Sequence, residues 1–196
     1  MKTYTSTPSS ILVVSLIEAK LHCKIDVTTD DSLITNLISA ATHLSEEYTN
    51  RFFINTDVTM VCSDWIDLDW LFKNNVTFDY STNTIKYYAP NDGNSLTTWE
   101  SSNYNVLSEY QPTKVSLIEN KSFPNIQQRP DAISITYTAG YGAAASDVPQ
   151  EIKQAILLTI GNWYANRESV VVGRIATELP LNVKWLLDTY KIQTVS

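Results

Sequence analysis

Glycine is scarce in this chain, with five in 196 residues. That leaves no glycine-rich loop to cradle a phosphate, and Gly140-Tyr141-Gly142 has the wrong spacing for a dinucleotide fingerprint. Cysteine is scarcer still. Cys23 and Cys62 stand alone, at a separation that suits neither a metal nor a redox pair, and they read as free buried thiols rather than a disulfide. The two histidines, His22 and His43, lack any companion at ligand spacing, so they read as ordinary helix residues and not as metal ligands. Long apolar runs are missing too. The run 11–17 is broken by Ser15 and is far too short to span a bilayer. Only Lys2 precedes it as a basic residue, Glu18 and Lys20 follow it, and no small-residue cleavage site is present. The expectation is therefore a chain that is cytoplasmic when made, with no membrane partner. Basic residues number 14 against 21 acidic ones, a formal net charge of -7. Such a balance argues against gripping nucleic acid by neutralising phosphates, though not against DNA passing by.

Catalytic groupings are equally thin. No serine or cysteine sits on an elbow beside a base. Glu46 and Glu47 are adjacent on a predicted helix and so point in different directions. Asp64, Asp67 and Asp69 resemble the start of an acidic metal loop but lack its glycine and terminal glutamate. Asp67 and Asp69 also fall on the polar face of a strand pattern. The reading is a protein that is not an enzyme and takes no cofactor or metal.

What the chain does have is apolar and aromatic material, 43% and 11% of its residues, enough for a folded core. The most telling stretch is 131–168. Ile133, Ile135 and Tyr137 alternate with small polar residues, the period of a strand buried on one face, and 139–142 ends it. Asp147 then reads as a helix N-cap, with Gln150 closing a capping box. From Ile152 to Tyr164 apolar residues occupy more than one stripe, as in a helix covered on most sides. Five Trp and eleven Tyr either fill the core and strand faces or supply a protein interface, and the sequence leaves both open.

Residues 1–10, rich in Ser and Thr, read as a loose arm. Ser15 and Glu18 form a capping box for a short helix with Leu16, Ala19 and Cys23 on one face. A second helix follows Asp30 and Asp31, striped by Leu33, Leu37, Ala41, Leu44 and Tyr48 and widened by Ile34 and Ile38. Between Phe53 and Tyr137 five or six short strands are predicted, with Asp92-Gly93 marking a hairpin turn after Ile85. A short strand or extended arm lies at 170–174. A last helix contains Leu186, Leu187 and Tyr190, with Asn182 as its cap. These elements predict one α+β domain over 1–196. It is a mainly helical bundle from 11–52 and 147–192, with a small antiparallel β region inserted at about 53–140.

The order of several segments resembles the head–tail connector, or adaptor, proteins of tailed phages and related gene-transfer particles. Ser15-Leu16-Ile17-Glu18-Ala19-Lys20 with Lys24-Ile25-Asp26 is similar to their opening helix. Asp30-Asp31-Ser32-Leu33-Ile34 and Glu47-Tyr48-Thr49-Asn50-Arg51 resemble the second helix and its exit. The strongest likeness is Arg129-Pro130-Asp131-Ala132-Ile133, Tyr137-Thr138-Ala139-Gly140-Tyr141-Gly142, Asp147-Val148-Pro149 and the helix that follows. Asn162-Trp163-Tyr164, Arg167-Glu168 and Glu178-Leu179-Pro180 continue it. The resemblance runs from about Val14 to Tyr190. It implies a structural virion protein at the head–tail junction, assembled as a ring of about twelve copies. Such a ring lies between the portal and a neck stopper or tail protein, and double-stranded DNA passes through its channel without specific binding. It also implies that the C-terminal helix docks on the portal, through Val183, Trp185, Leu186 and Tyr190. An arm including Val170, Val172, Arg174 and Ile175 would touch the adjacent subunit, Arg174 pairing with a carboxylate there. The competing reading is a monomeric β-containing binding module for glycan or a host surface. It predicts a single subunit at any concentration and a pocket among the strands.

Overall fold

Ile133, Ile135 and Tyr137 are fully buried and their polar neighbours half-buried, so the predicted alternation yields a real strand, Ile133–Ala139. It becomes the centre of a six-stranded antiparallel sheet. The computed structural model describes residues 2–7, 9–66, 76–110, 113–166, 170–171, 174–175 and 180–192. Among them the elements are, in order, β1 (Lys2–Thr7), α1 (Leu16–Cys23), α2 (Asp31–Thr49), β2 (Thr56–Cys62), β3 (Val76–Thr77), β4 (Ile85–Tyr88) and β5 (Leu96–Trp99). Then come β6 (Tyr104–Leu107), β7 (Lys114–Leu117), β8 (Ile133–Ala139), α3 (Gln150–Ala165), β9 (Val170–Val171), β10 (Arg174–Ile175) and α4 (Leu181–Asp188). The chain divides into two compact units. One is β-rich and draws on 2–9, 55–141 and 192; the other is helical and draws on 10–54 and 142–191.

In the β-rich unit the strand order is β1-β2-β8-β4-β5, with β3 also paired to β8, while β6 and β7 form a separate ribbon. Register places Tyr4, Met60, Ile135, Ile85 and Trp99 in one row across all five strands. Side chains in a cross-strand row share a face, so this row is the spine of the unit's core. Beyond Trp99 the core is aromatic. Trp99 stacks on Tyr104 with centroids 4.8 Å apart, and Trp65 stacks on Phe123 at 5.2 Å. The Trp65 indole N–H donates to the Pro124 carbonyl at 2.8 Å, which satisfies its one polar atom. The Arg129-Pro130-Asp131 segment proves to be the entry to β8. Arg129 Nε and a terminal nitrogen donate to the two Asp131 carboxylate oxygens at 2.6 and 2.8 Å, and the guanidinium lies 3.7 Å from the Tyr88 ring centroid. Those hydrogen bonds hold the Asp131 carboxyl below the usual range.

The helical unit confirms the Ser15 capping box. The Ser15 N–H and hydroxyl both donate to Glu18 Oε2 at 2.7 Å, and Glu18 N–H donates to Ser15 Oγ at 3.2 Å. These bonds, the side-chain one first, keep Glu18 below its ordinary pKa. α2 starts at Asp31 and exits through Asn50 in the left-handed region (φ 56°). Its buried face is centred on Ile34, Ile38, Ala41, Ser45 and Thr49, one position round from the predicted stripe. Ser45 and Thr49 can lie inside because their hydroxyls donate to carbonyls one turn back, Ala41 and Ser45, each at 2.8 Å. The Tyr164 hydroxyl of α3 donates to Asp30 Oδ2 at 2.6 Å, tying α3 to the start of α2. α3 buries Ile152, Ala155, Ile156, Thr159 and Ile160, and its apolar excess is covered within the unit on that face.

The structure corrects several expectations. The protein is not a mainly helical bundle with a small β insertion: the six-stranded sheet forms the core of its own unit and recruits the N-terminal segment. Residues 1–10 read as a loose arm because Lys-Thr-Tyr-Thr-Ser-Thr has no apolar alternation, yet 2–7 form β1, an edge strand paired along its length with β2. An edge strand needs only one satisfied ladder and one half-covered face. α3 starts at Gln150 after Pro149, and Asp147 instead caps a 3-10 turn, its Oδ2 accepting from Ala144 N–H at 2.9 Å. α4 likewise starts after Pro180 rather than at Asn182; proline suits the start because it has no N–H to leave unpaired. Of the predicted strand at 66–70, Ile66 is exposed and residues 67–70 lie outside the described ones, as do Asp67 and Asp69.

Gly142 explains one of the rare glycines. A Cβ there would fall inside the Asp147 side chain that caps the 3-10 turn. Gly142→Ala should therefore lower stability by about 1–3 kcal/mol, as overpacking does. Adding Asp147→Gly should return part of that loss, because it removes all three side-chain atoms the new Cβ would meet, along with the cap. Urea denaturation of both variants checks this; a neutral Gly142→Ala would show that the turn moves aside freely.

Candidate functional site

With exposure as the guide, the surface most suited to a partner lies on the helical unit. α4 is driven into that unit by Val183 and Leu187, both fully buried. Its outer face carries Leu181 and Trp185, 62% and 68% exposed and one turn apart, hence side by side. Polar contacts fix the end of the helix. The Tyr48 hydroxyl donates to Asp188 Oδ1 at 2.6 Å, Arg51 Nε to the Tyr190 carbonyl at 2.6 Å, and the Tyr190 hydroxyl to Glu151 Oε2 at 2.9 Å. Lys191 Nζ sits 4.4 Å from the Tyr48 ring centroid. The bond to Asp188 raises the Tyr48 phenol above its usual pKa. Its own backbone N–H, and then Tyr190, lower that of Glu151. α4 is thus anchored on α2 and α3, and its exposed tryptophan is presented from a rigid base.

Of the residues singled out from sequence for the C-terminal helix, Trp185 is the exposed one. Leu186 and Tyr190 are half-buried, and Val183 faces inward. In the arm, β9 and β10 pair antiparallel, Val171 opposite Arg174 and Val170 opposite Ile175, so these positions belong to a two-stranded ribbon. Val172 lies outside the described residues. Position separates several of the aromatic residues. Trp65, Trp99 and Tyr104 are buried in the β-rich unit, whereas Trp185 stands in solvent.

A second exposed apolar pair was not anticipated. Ile17 and Leu21 on α1 are each 79% exposed and again one turn apart. The inner face of α1 is Leu16, Ala19 and Cys23, as predicted, with Ala19 fully buried. The available signal was that this eight-residue helix carries apolar residues on two faces, more than one covered face requires. Among the described residues no cluster of His, Cys, Asp or Glu could hold a metal ion, and no helix is long and apolar enough to cross a membrane.

Against known proteins, a family model described as head completion protein matches residues 12–192. Among solved structures, a chain from the neck of an empty GTA particle computed with C6 symmetry superposes with a TM-score of 0.78 at 17% identity. The match covers 100% of this chain and 97% of that one. A chain from the virion of a native gene transfer agent particle gives 0.75 at 17%, and one from the neck of a native GTA particle computed with C12 symmetry gives 0.74 at 16%, both with the same coverage. No curated protein matches the sequence.

Proposed function

This chain belongs to the head completion protein family and is a structural adaptor of the virion's head–tail junction, and we propose that it works as a ring of copies between the portal and the next neck or tail protein. The observation that carries the proposal is the family match along nearly the whole chain, 12–192. Both units then act together as one adaptor subunit with a structural rather than a catalytic role. The fold shared with chains of GTA necks computed with C6 or C12 symmetry supports copies arranged around an axis. The formal charge of -7 suits a channel through which DNA slides without being held.

Within this reading the β9–β10 ribbon reaches the adjacent subunit, and the terminal helix, with Trp185 exposed beside the half-buried Leu186 and Tyr190, is an assembly surface. Val183 acts from behind, by seating the helix. Light scattering and negative-stain imaging of the purified chain, alone and with the portal of the same genome, test the proposal. Rings or portal-bound stacks are expected, and a monomer that ignores the portal would defeat it. Deleting residues 170–175 should weaken assembly tenfold or more, equivalent to about 1.4 kcal/mol, while leaving the thermal transition of the free chain in place. Unchanged assembly would remove the ribbon from the interface.

A further inference from the structure

The two exposed apolar pairs on the helical unit are built alike. On α1, Ile17 and Leu21 are followed by Lys24; on α4, Leu181 and Trp185 are followed by Asp188. Leu181, Trp185 and Asp188 have the spacing i, i+4, i+7, which lines one helix face, and Ile17 and Leu21 are likewise one turn apart; Lys24 follows as the left-handed residue (φ 57°) that closes α1. The two patches are alike in order: an apolar pair, then at the carboxyl end of the helix a charge of opposite sign, Lys24 just past α1 and Asp188 as the last residue of α4. Within one chain they do not cover each other, since all four apolar residues remain exposed. α1 packs on α2 and α3, and α4 packs on the same two helices.

We propose that these faces meet between copies: Ile17, Leu21 and Lys24 of one subunit pack against Leu181, Trp185 and Asp188 of the next. This deepens the ring reading and rests on it. A contact between two different patches of the same chain is head-to-tail, the class that closes into rings. Laid parallel, the helices bring Leu21 against Trp185, the large aromatic at the centre of the patch, as in interface hot spots. The same arrangement places Lys24 beside Asp188. It also sets Lys24 against the carbonyl end of α4, where a cation is favoured. Asp188 is already oriented by the Tyr48 hydroxyl, so the acceptor is held in place before the partner arrives.

The test uses the full chain with Leu21→Glu and with Trp185→Glu, assayed by native mass spectrometry and sedimentation with and without the portal. Each variant spoils one face and keeps the other, and because both positions are exposed, thermal transitions should match wild type. Each alone should remain monomeric where wild type assembles. Mixed in equal amounts they should form a dimer and stop there, the sound α4 of one joined to the sound α1 of the other. Lys24→Asp should weaken assembly tenfold or more, and adding Asp188→Lys should restore it. Rings formed by either variant alone would overturn the contact while leaving the ring reading intact. Rings from Trp185→Glu that no longer bind the portal would assign α4 to the portal and overturn it likewise. Wild type that assembles under no condition would overturn the ring itself, and the contact with it.

Discussion

Trp99→Ala should destabilise the β-rich unit by about 3–5 kcal/mol, the range for deleting a buried aromatic side chain. Trp99 ends the row that runs through Met60, Ile135 and Ile85, and it also meets the aromatic group beyond the sheet. Its ring lies 4.8 Å from Tyr104, 4.7 Å from Trp65 and 5.6 Å from Phe123, between centroids. Loss of the indole therefore opens a cavity bounded by rigid rings, which collapse poorly. The three lost aromatic pairs, worth roughly 0.5–1.5 kcal/mol apiece, are part of that total. Urea denaturation followed by tryptophan fluorescence measures the change. The same variant bears on the competing idea of a glycan-binding module. A stacking platform for sugar would keep its stability on losing Trp99 and give up only its ligand; a core residue does the reverse.

Phe53→Ala should cost the helical unit a similar 3–5 kcal/mol. Phe53 is wholly buried just beyond the point where α2 stops at its left-handed Asn50. Its backbone N–H donates to Glu46 Oε1 at 2.8 Å, so the ring is delivered to the core by a chain reversal that α2 itself pins. The variant keeps that hydrogen bond and removes only the ring, which isolates the packing contribution. Far-ultraviolet circular dichroism against urea should show the helical transition moving to lower denaturant. A change below about 1 kcal/mol would mean that the site refills with neighbouring side chains.

Local signals in the sequence were reliable where one interaction decides the geometry. Ser15 and Glu18 formed their box, Asp92-Gly93 turned the β4–β5 hairpin with Gly93 at φ 63°, and β8 kept its alternation. They failed where a tertiary partner decides. β1 has no apolar pattern and exists because β2 offers an edge. The buried face of α2 moved toward Ser45 and Thr49 because back-bonded hydroxyls cost little inside, which an apolar stripe does not reveal. The balance of the fold was misjudged for the same reason, since short strands separated by polar loops carry a weak signature until paired. At the assembly surface, Leu186, Leu187 and Tyr190 mark a short last helix and the family resemblance adds Val183 and Trp185, but neither says which of its faces α2 and α3 cover. The exposed face of α1 was concealed behind its correctly read inner face.

The position of β8 has a consequence for how the molecule comes into being. It is the last strand of its sheet in the sequence and the middle one in space, joined directly to β2, β3 and β4. A growing chain that has exposed only β1 to β5 holds two separate halves with no strand between them. The β-rich unit thus acquires its spine only after residue 139 has emerged, by pairings between segments distant along the chain. Such non-local pairing is slow, typically in the range of milliseconds to seconds, because loop closure precedes any gain from contact. A fragment ending before β8 would present two unpaired edges to its neighbours, the condition under which strands join across molecules. Expression of truncated forms is therefore expected to yield aggregates until Ala139 is included.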